Sequence, residues 1–147
     1  MTARGLRNKN PLNIRKGNNW QGEKHPQTDK EFEEFATMAD GCRAAVILAY
    51  NYITGRTASG RRQRCDTVEK FITKWAPPSE NNTQAYISRV CQRAEFQPGT
   101  ALYPINKNRL CRLLWAMAEV ENGVLIPYNY FETGYDYARR TINALPH

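Results

Sequence analysis

A chain of 147 residues, 41% hydrophobic and 11% aromatic, can bury a real core and is not a disordered polymer. Its net charge of +7 favours polyanionic surroundings, whether nucleic acid, cell wall or lipid headgroups, without choosing among them. The longest apolar run, Ala44 to Tyr50, is far short of a membrane span, so no membrane insertion is expected.

Residues 1–30 are polar and rich in Asn and Gly, and carry seven Lys and Arg against Glu23 and Asp29. They begin Met1-Thr-Ala-Arg-Gly, with no apolar stretch of the kind a signal peptide needs. Leu12 and Ile14 alternate with Asn13 and Arg15, and Glu31 to Thr37 supplies Phe32 and Phe35; the two pieces predict a small β-hairpin. Helical spacing of Ala44, Ala45, Ile47, Leu48 and Tyr52 predicts a helix over 38–53, ended by Gly55. Residues 55–64 read as a basic loop holding Arg56, Arg61, Arg62 and Arg64. Asp66 opens a short helix with Val68, Phe71, Ile72 and Trp75 on its apolar face, stopped by Pro77-Pro78. Asn81 or Asn82 caps the next helix, to about Ala94, with Tyr86, Ile87, Val90 and Cys91 on one side. Asn106 caps the most apolar helix, to about Val120, and Asn122-Gly123 ends it. A last helix is expected over 130–143. The pattern is α+β, mostly α, a single domain over 1–147 with one β element near the N-terminus.

The four cysteines (Cys42, Cys65, Cys91, Cys111) show no C-x-x-C pairing, and the two histidines, His25 and His147, sit in no ligand motif. Neither a metal nor an organic cofactor is expected, and the thiols read as buried and free.

Three motifs carry a resemblance. Gly5-Leu-Arg-Asn-Lys-Asn-Pro-Leu-Asn-Ile-Arg15, followed by Gly17-Asn-Asn-Trp-Gln-Gly22, resembles the opening elements of flagellar and autolysin-type endo-β-N-acetylglucosaminidases. Trp75-Ala-Pro-Pro-Ser-Glu-Asn-Asn-Thr-Gln-Ala-Tyr86 is similar to the segment of that family whose Tyr lies beside the cleaved bond. Glu121-Asn-Gly123 resembles the Glu-Ser-Gly or Glu-Thr-Gly that closes the catalytic helix of lysozyme-like hydrolases and lytic transglycosylases. In those families the Glu comes first; here it comes last. The resemblance therefore implies a circularly permuted lysozyme-like domain, a rewiring that neighbouring surface termini permit. Nearly the whole chain is also similar to small phage and prophage proteins with the pattern R-G-x-R-N-x-N-P-x-N-I, W-A-P-P-x-E-N-x-T and E-N-G, some of them described only as virion structural proteins.

The function implied is cleavage of peptidoglycan glycan strands by a phage- or prophage-derived glycosidase or lytic transglycosylase. Such a protein is made in the bacterial cytoplasm and reaches the wall through a holin or a virion. Its partners would be glycan strands and other virion proteins. The alternative is a non-catalytic virion structural or wall-binding protein. Nucleic acid is not expected as a partner, because no helix-turn-helix, zinc module or stacking sheet is present.

Glu121 is the expected general acid: a carboxylate at the rim of an apolar helix suits proton donation to a glycosidic oxygen. Asp29 is the preferred second carboxylate, with Glu34 and Glu23 behind it; the substrate's acetamido group is the other way to stabilise the cationic centre. Tyr86 either fills the core or turns its hydroxyl to the cleft. Asn10 and Asn13 are either turn formers or ligands for a sugar N-acetyl group or for Glu121. Trp20 is a stacking platform for a pyranose ring or a cover over the hairpin. Tyr128, just past the Glu121 turn, is a candidate to line the cleft.

Overall fold

The computed structural model describes residues 2–147. It is mostly helical: α1 (Arg4–Arg7), α2 (Met38–Thr54), the two-stranded antiparallel hairpin β1 (Arg56–Thr57) and β2 (Gly60–Arg61), α3 (Val68–Trp75), α4 (Thr83–Ala94), α5 (Lys107–Asn122) and α6 (Asn129–Arg139). The α+β, mainly helical reading of the sequence therefore holds.

Short polar side chains start α2, α3, α4 and α5. Thr37 Oγ1 accepts from the Asp40 N–H at 3.1 Å, Asn82 Oδ1 from Ala85 at 3.2 Å and Asn106 Oδ1 from Arg109 at 2.9 Å. Each satisfies one of the backbone donors that a helix start leaves open. At α3 the cap is Thr67, which accepts from Lys70, rather than Asp66, which instead pairs with the Lys70 ammonium at 3.3 Å. The cap lies one residue later than the acid suggested, because the extended residue preceding the helix is Thr67.

The buried side chains form one cluster. Helix α5 runs through it and packs against α4, α6, α2 and α1. Leu110, Leu113, Leu114 and Met117 are fully enclosed, and burying a side chain of this size is worth about 1.5–3 kcal/mol. That anchoring makes α5 a rigid rod, and Glu121 rides at its C-terminal end. Helix α6 lies along α2, with Gly134 facing Cys42 and Arg43. Burial pushes the Cys42 and Cys111 thiols up, Cys111 to about 12, so neither is a reactive thiolate at neutral pH.

The hairpin expected near the N-terminus is present only as isolated antiparallel bridges, Arg15 to Phe32 and Glu23 to Phe35. Side chains break the ladder. The Asn10 amide takes the Ile14 N–H and donates to the Ile14 and Glu33 carbonyls, while Gln27 and Glu34 occupy the backbone of 24–34. The paired strands lie instead in the basic segment read as loop. They are two residues each, too short to show any alternation in sequence.

No helix among the described residues is long and apolar enough to cross a membrane. Among the same residues, no group of three or more His, Cys, Asp or Glu is placed to hold a metal ion.

Candidate functional site

Three sequence candidates meet at the end of α5. Glu121 is half-buried, one carboxylate oxygen accepting from Asn13 Nδ2 at 2.9 Å and the other from the Tyr86 hydroxyl at 2.8 Å. The partners come from far along the chain: Asn13 from the opening segment and Tyr86 from the inward face of α4. Tyr86 is only 6% exposed, so its ring fills the core, while its hydroxyl bonds Glu121, a contact the sequence reading did not name. Burial, the Glu121 charge and the bond to Glu121 all push the Tyr86 phenol well up, which keeps it a proton-bearing donor.

Local structure explains why the three meet. Gly123 ends α5 in the left-handed conformation (φ 75°), which a residue with a side chain adopts only at a cost. The neighbouring Asn122 uses its amide to tie the helix end to the opening loop, donating to the Pro11 carbonyl at 2.8 Å and to Ala118 at 2.9 Å. Asn13 itself sits at φ 53°, where Asn is among the better-tolerated residues. Gly5 closes the corner. A Cβ there would press on Asn122 Oδ1 and come within 2.9 Å of both the Asn10 carbonyl and Asn13 Oδ1. Asn122 and Gly5 were missed as site residues. The E-N-G and R-G motifs held the signal, but there Asn-Gly reads as a turn and Arg-Gly as loop.

Other candidates are placed elsewhere. Asp29 does not face Glu121. Its carboxylate takes a two-pronged bond from Arg4 at 2.6 and 2.7 Å, one from Asn8 at 3.0 Å, and the Glu31 and Phe32 backbone N–H groups. A turn acid beside a guanidinium is held as an ion-pair partner, and that commits both oxygens. Asn10 is fully buried and is a loop pin, not a ligand. Trp20 packs against the core, its indole nitrogen buried without a partner. Tyr128 meets the edge of Trp115 and its hydroxyl lies against Asn108. Asn108 is near the start of α5, about 20 Å along the helix from Glu121 at 1.5 Å per residue, so Tyr128 is not part of the cluster. The neighbours Val120 and Gly123 line a shallow cavity of about 390 Å³ with Arg89, Arg93 and Glu119; Glu121 is not among its lining residues.

The runner-up acids form a separate set of carboxylates beneath the opening loop. Glu34 is enclosed, which opposes its ionisation, but N–H groups of Asp29 and Thr28, the Thr28 hydroxyl and Lys24 outweigh this and hold it at about 2. The Arg4 bond, aided by N–H donors, holds Asp29 well below the usual carboxylate range. Glu33 is pushed up to about 7 by burial and by sharing a hydrogen bond with Glu23. Glu23 in turn is lowered, chiefly by the Trp20 N–H.

The signs differ. Asp29 and Glu34 contribute stability that is present above about pH 4 and drains away as the pH falls through their folded values. Glu33 keeps a proton between about pH 4.3 and 7 that the unfolded chain has released, so the fold loses stability as the pH rises across that window. Thermal melting as a function of pH should therefore show acid lability below about pH 4. Glu33→Gln should raise stability at pH 8 by on the order of 1 kcal/mol and change little at pH 4. A variant less stable than the parent at pH 8 would refute this account of Glu33.

Comparison with known proteins adds kinship. Over 134 residues the chain is 35% identical to Protein P5 of Pseudoalteromonas phage PM2, a match spanning 88% of this chain and 77% of the relative. The chain belongs to the family of that phage protein. No family model matches it. The phage kinship implied by the R-G-x-R-N-x-N-P-x-N-I pattern is thus shown.

Proposed function

We propose that the protein is a peptidoglycan glycan-strand cleaving enzyme of the lysozyme-like kind, permuted so that its acid lies late in the chain, with Glu121 as general acid. One observation carries the reading: a half-buried carboxylate at a helix end, held by one donor on each oxygen, with both donors drawn from segments that resemble glycosidase motifs. In this reading protonated Glu121 gives its proton to the leaving glycosidic oxygen. The Asn13 amide and Tyr86 hydroxyl then stabilise the carboxylate left behind, in the manner of preorganised donors aimed at developing charge.

Asp29 is committed to Arg4, so the cationic centre is stabilised by the substrate itself, through its acetamido group, rather than by that second acid. Incubating the purified chain with cell-wall sacculi and weighing the released fragments by mass spectrometry tests this. Soluble muropeptides with new reducing or anhydro ends are expected. Particles that incorporate the protein while sacculi stay intact would support the other reading, a wall-binding virion component, which the tying-up of Asp29 favours.

A further inference from the structure

The β1–β2 hairpin and the residues after it form a cationic face that the Glu121 site does not use. From Gly41 to Cys65 the chain has no Asp or Glu. Arg56, Arg61, Arg62 and Arg64 are all exposed, and among the described residues none of the four is paired with a carboxylate. Two of them lean on aromatic rings instead: the Arg64 guanidinium lies 4.0 Å from the Tyr103 ring centre, and that of Arg62 lies 4.9 Å from Tyr52. Stacking of this kind fixes a long side chain without neutralising it.

Two grooves flank the segment. One, of about 800 Å³, is bounded by Arg56, Arg61, Arg64, Tyr50 and Tyr103, with no carboxylate in its wall. The other, of about 890 Å³, is bounded by Arg62, Arg64, Lys70 and Lys74, with Glu69 at its side. Arg64 belongs to both. The first groove reaches Ile105, just before α5, whereas Glu121 sits at the far end of that helix, about 24 Å away. This is a second surface, independent of the first.

Its chemistry narrows the partner. A bilayer would need large apolar side chains to enter it, and the hairpin tip is Thr57-Ala58-Ser59-Gly60. A neutral glycan would want carboxylate acceptors for its hydroxyls, and the first groove has none. Guanidinium forks interleaved with tyrosine rings match a string of phosphates carrying flat bases. Against the expectation drawn from the lack of a nucleic-acid motif, we propose that this groove binds single-stranded nucleic acid, with Arg56, Arg61 and Arg64 on successive phosphates and Tyr103 stacking a base.

The test is fluorescence anisotropy of a labelled oligothymidylate of about 16 nucleotides, titrated with the full chain between about 50 and 200 mM salt. Binding should weaken with salt. The R56Q/R61Q/R64Q variant, its fold checked by circular dichroism, should bind at least about tenfold more weakly, with a log–log salt slope shallower by about 2. Tyr103→Ala should lose affinity about fivefold or more with the slope unchanged. The control K16Q/K24Q/K30Q removes as much charge elsewhere and should stay near the parent. Absence of binding at the lowest salt would overturn the proposal, as would equal losses in the two triple variants. So would competition by polyglutamate as effective as by unlabelled strand, or tighter binding to phosphatidylglycerol vesicles through the same arginines.

Discussion

Glu121→Gln should abolish clearing of a cell-wall suspension, by about a thousandfold or more, given the usual contribution of a general acid. The change should leave the molecule folded. The Gln carbonyl can still accept from Asn13 Nδ2, and its amide can donate to Tyr86, whose hydroxyl both gives and takes. Melting should therefore shift by less than about 1 kcal/mol. Tyr86→Phe and Asn13→Ala each remove one bond to the carboxylate and should each lower clearing by about tenfold, the equivalent of one hydrogen bond to a charged group. Clearing retained in Glu121→Gln would mean that another group supplies the proton. Loss in all three variants together with lost melting would point to a structural role alone.

Gly5→Ala should act on the same site from a distance. The added methyl meets Asn122 Oδ1 on one side and the Asn10 carbonyl and Asn13 Oδ1 on the other, and the Asn10 carbonyl is backbone that cannot rotate away. Overpacking of this sort costs about 1–3 kcal/mol, or roughly 3–10 °C of melting temperature for a domain of this size. Displacing Asn122 and Asn13 should also loosen Glu121, so clearing should fall although no group bonded to the carboxylate has been changed. Gly99→Ala is the matched control, because a Cβ there meets nothing. A Gly5→Ala protein that melts and clears like the parent would show that the corner yields easily.

The parts of the molecule written in local pattern were legible. Helices α2, α4 and α5 follow from apolar spacing, the last two also from Asn caps, and their ends fall within a residue or two of expectation. Glu121, Tyr86 and Asn13 were each singled out because each stood in a motif of its own, but the bond from Tyr86 to Glu121 was not read from the sequence. What failed was long-range or competitive. Asp29 read as a free turn acid, because nothing local shows that Arg4, 25 residues earlier, returns to claim it. Tyr128 looked near Glu121 in sequence, but the chain doubles back along α5 and carries its hydroxyl to Asn108. The N-terminal strands were diluted by the side chains of Asn10, Gln27 and Glu34, which take the backbone groups that a ladder would use.

The bond from Asn13 to Glu121 joins residues 108 positions apart. On a ribosome the first partner emerges long before the second has been made. A growing chain therefore holds Asn13 with no acid to bind, and the site closes only when the end of α5 clears the exit tunnel. Contacts of such span also form late in folding, after shorter loops have closed. An unfinished or truncated copy lacking α5 would carry the opening loop but not the carboxylate that Asn13 holds.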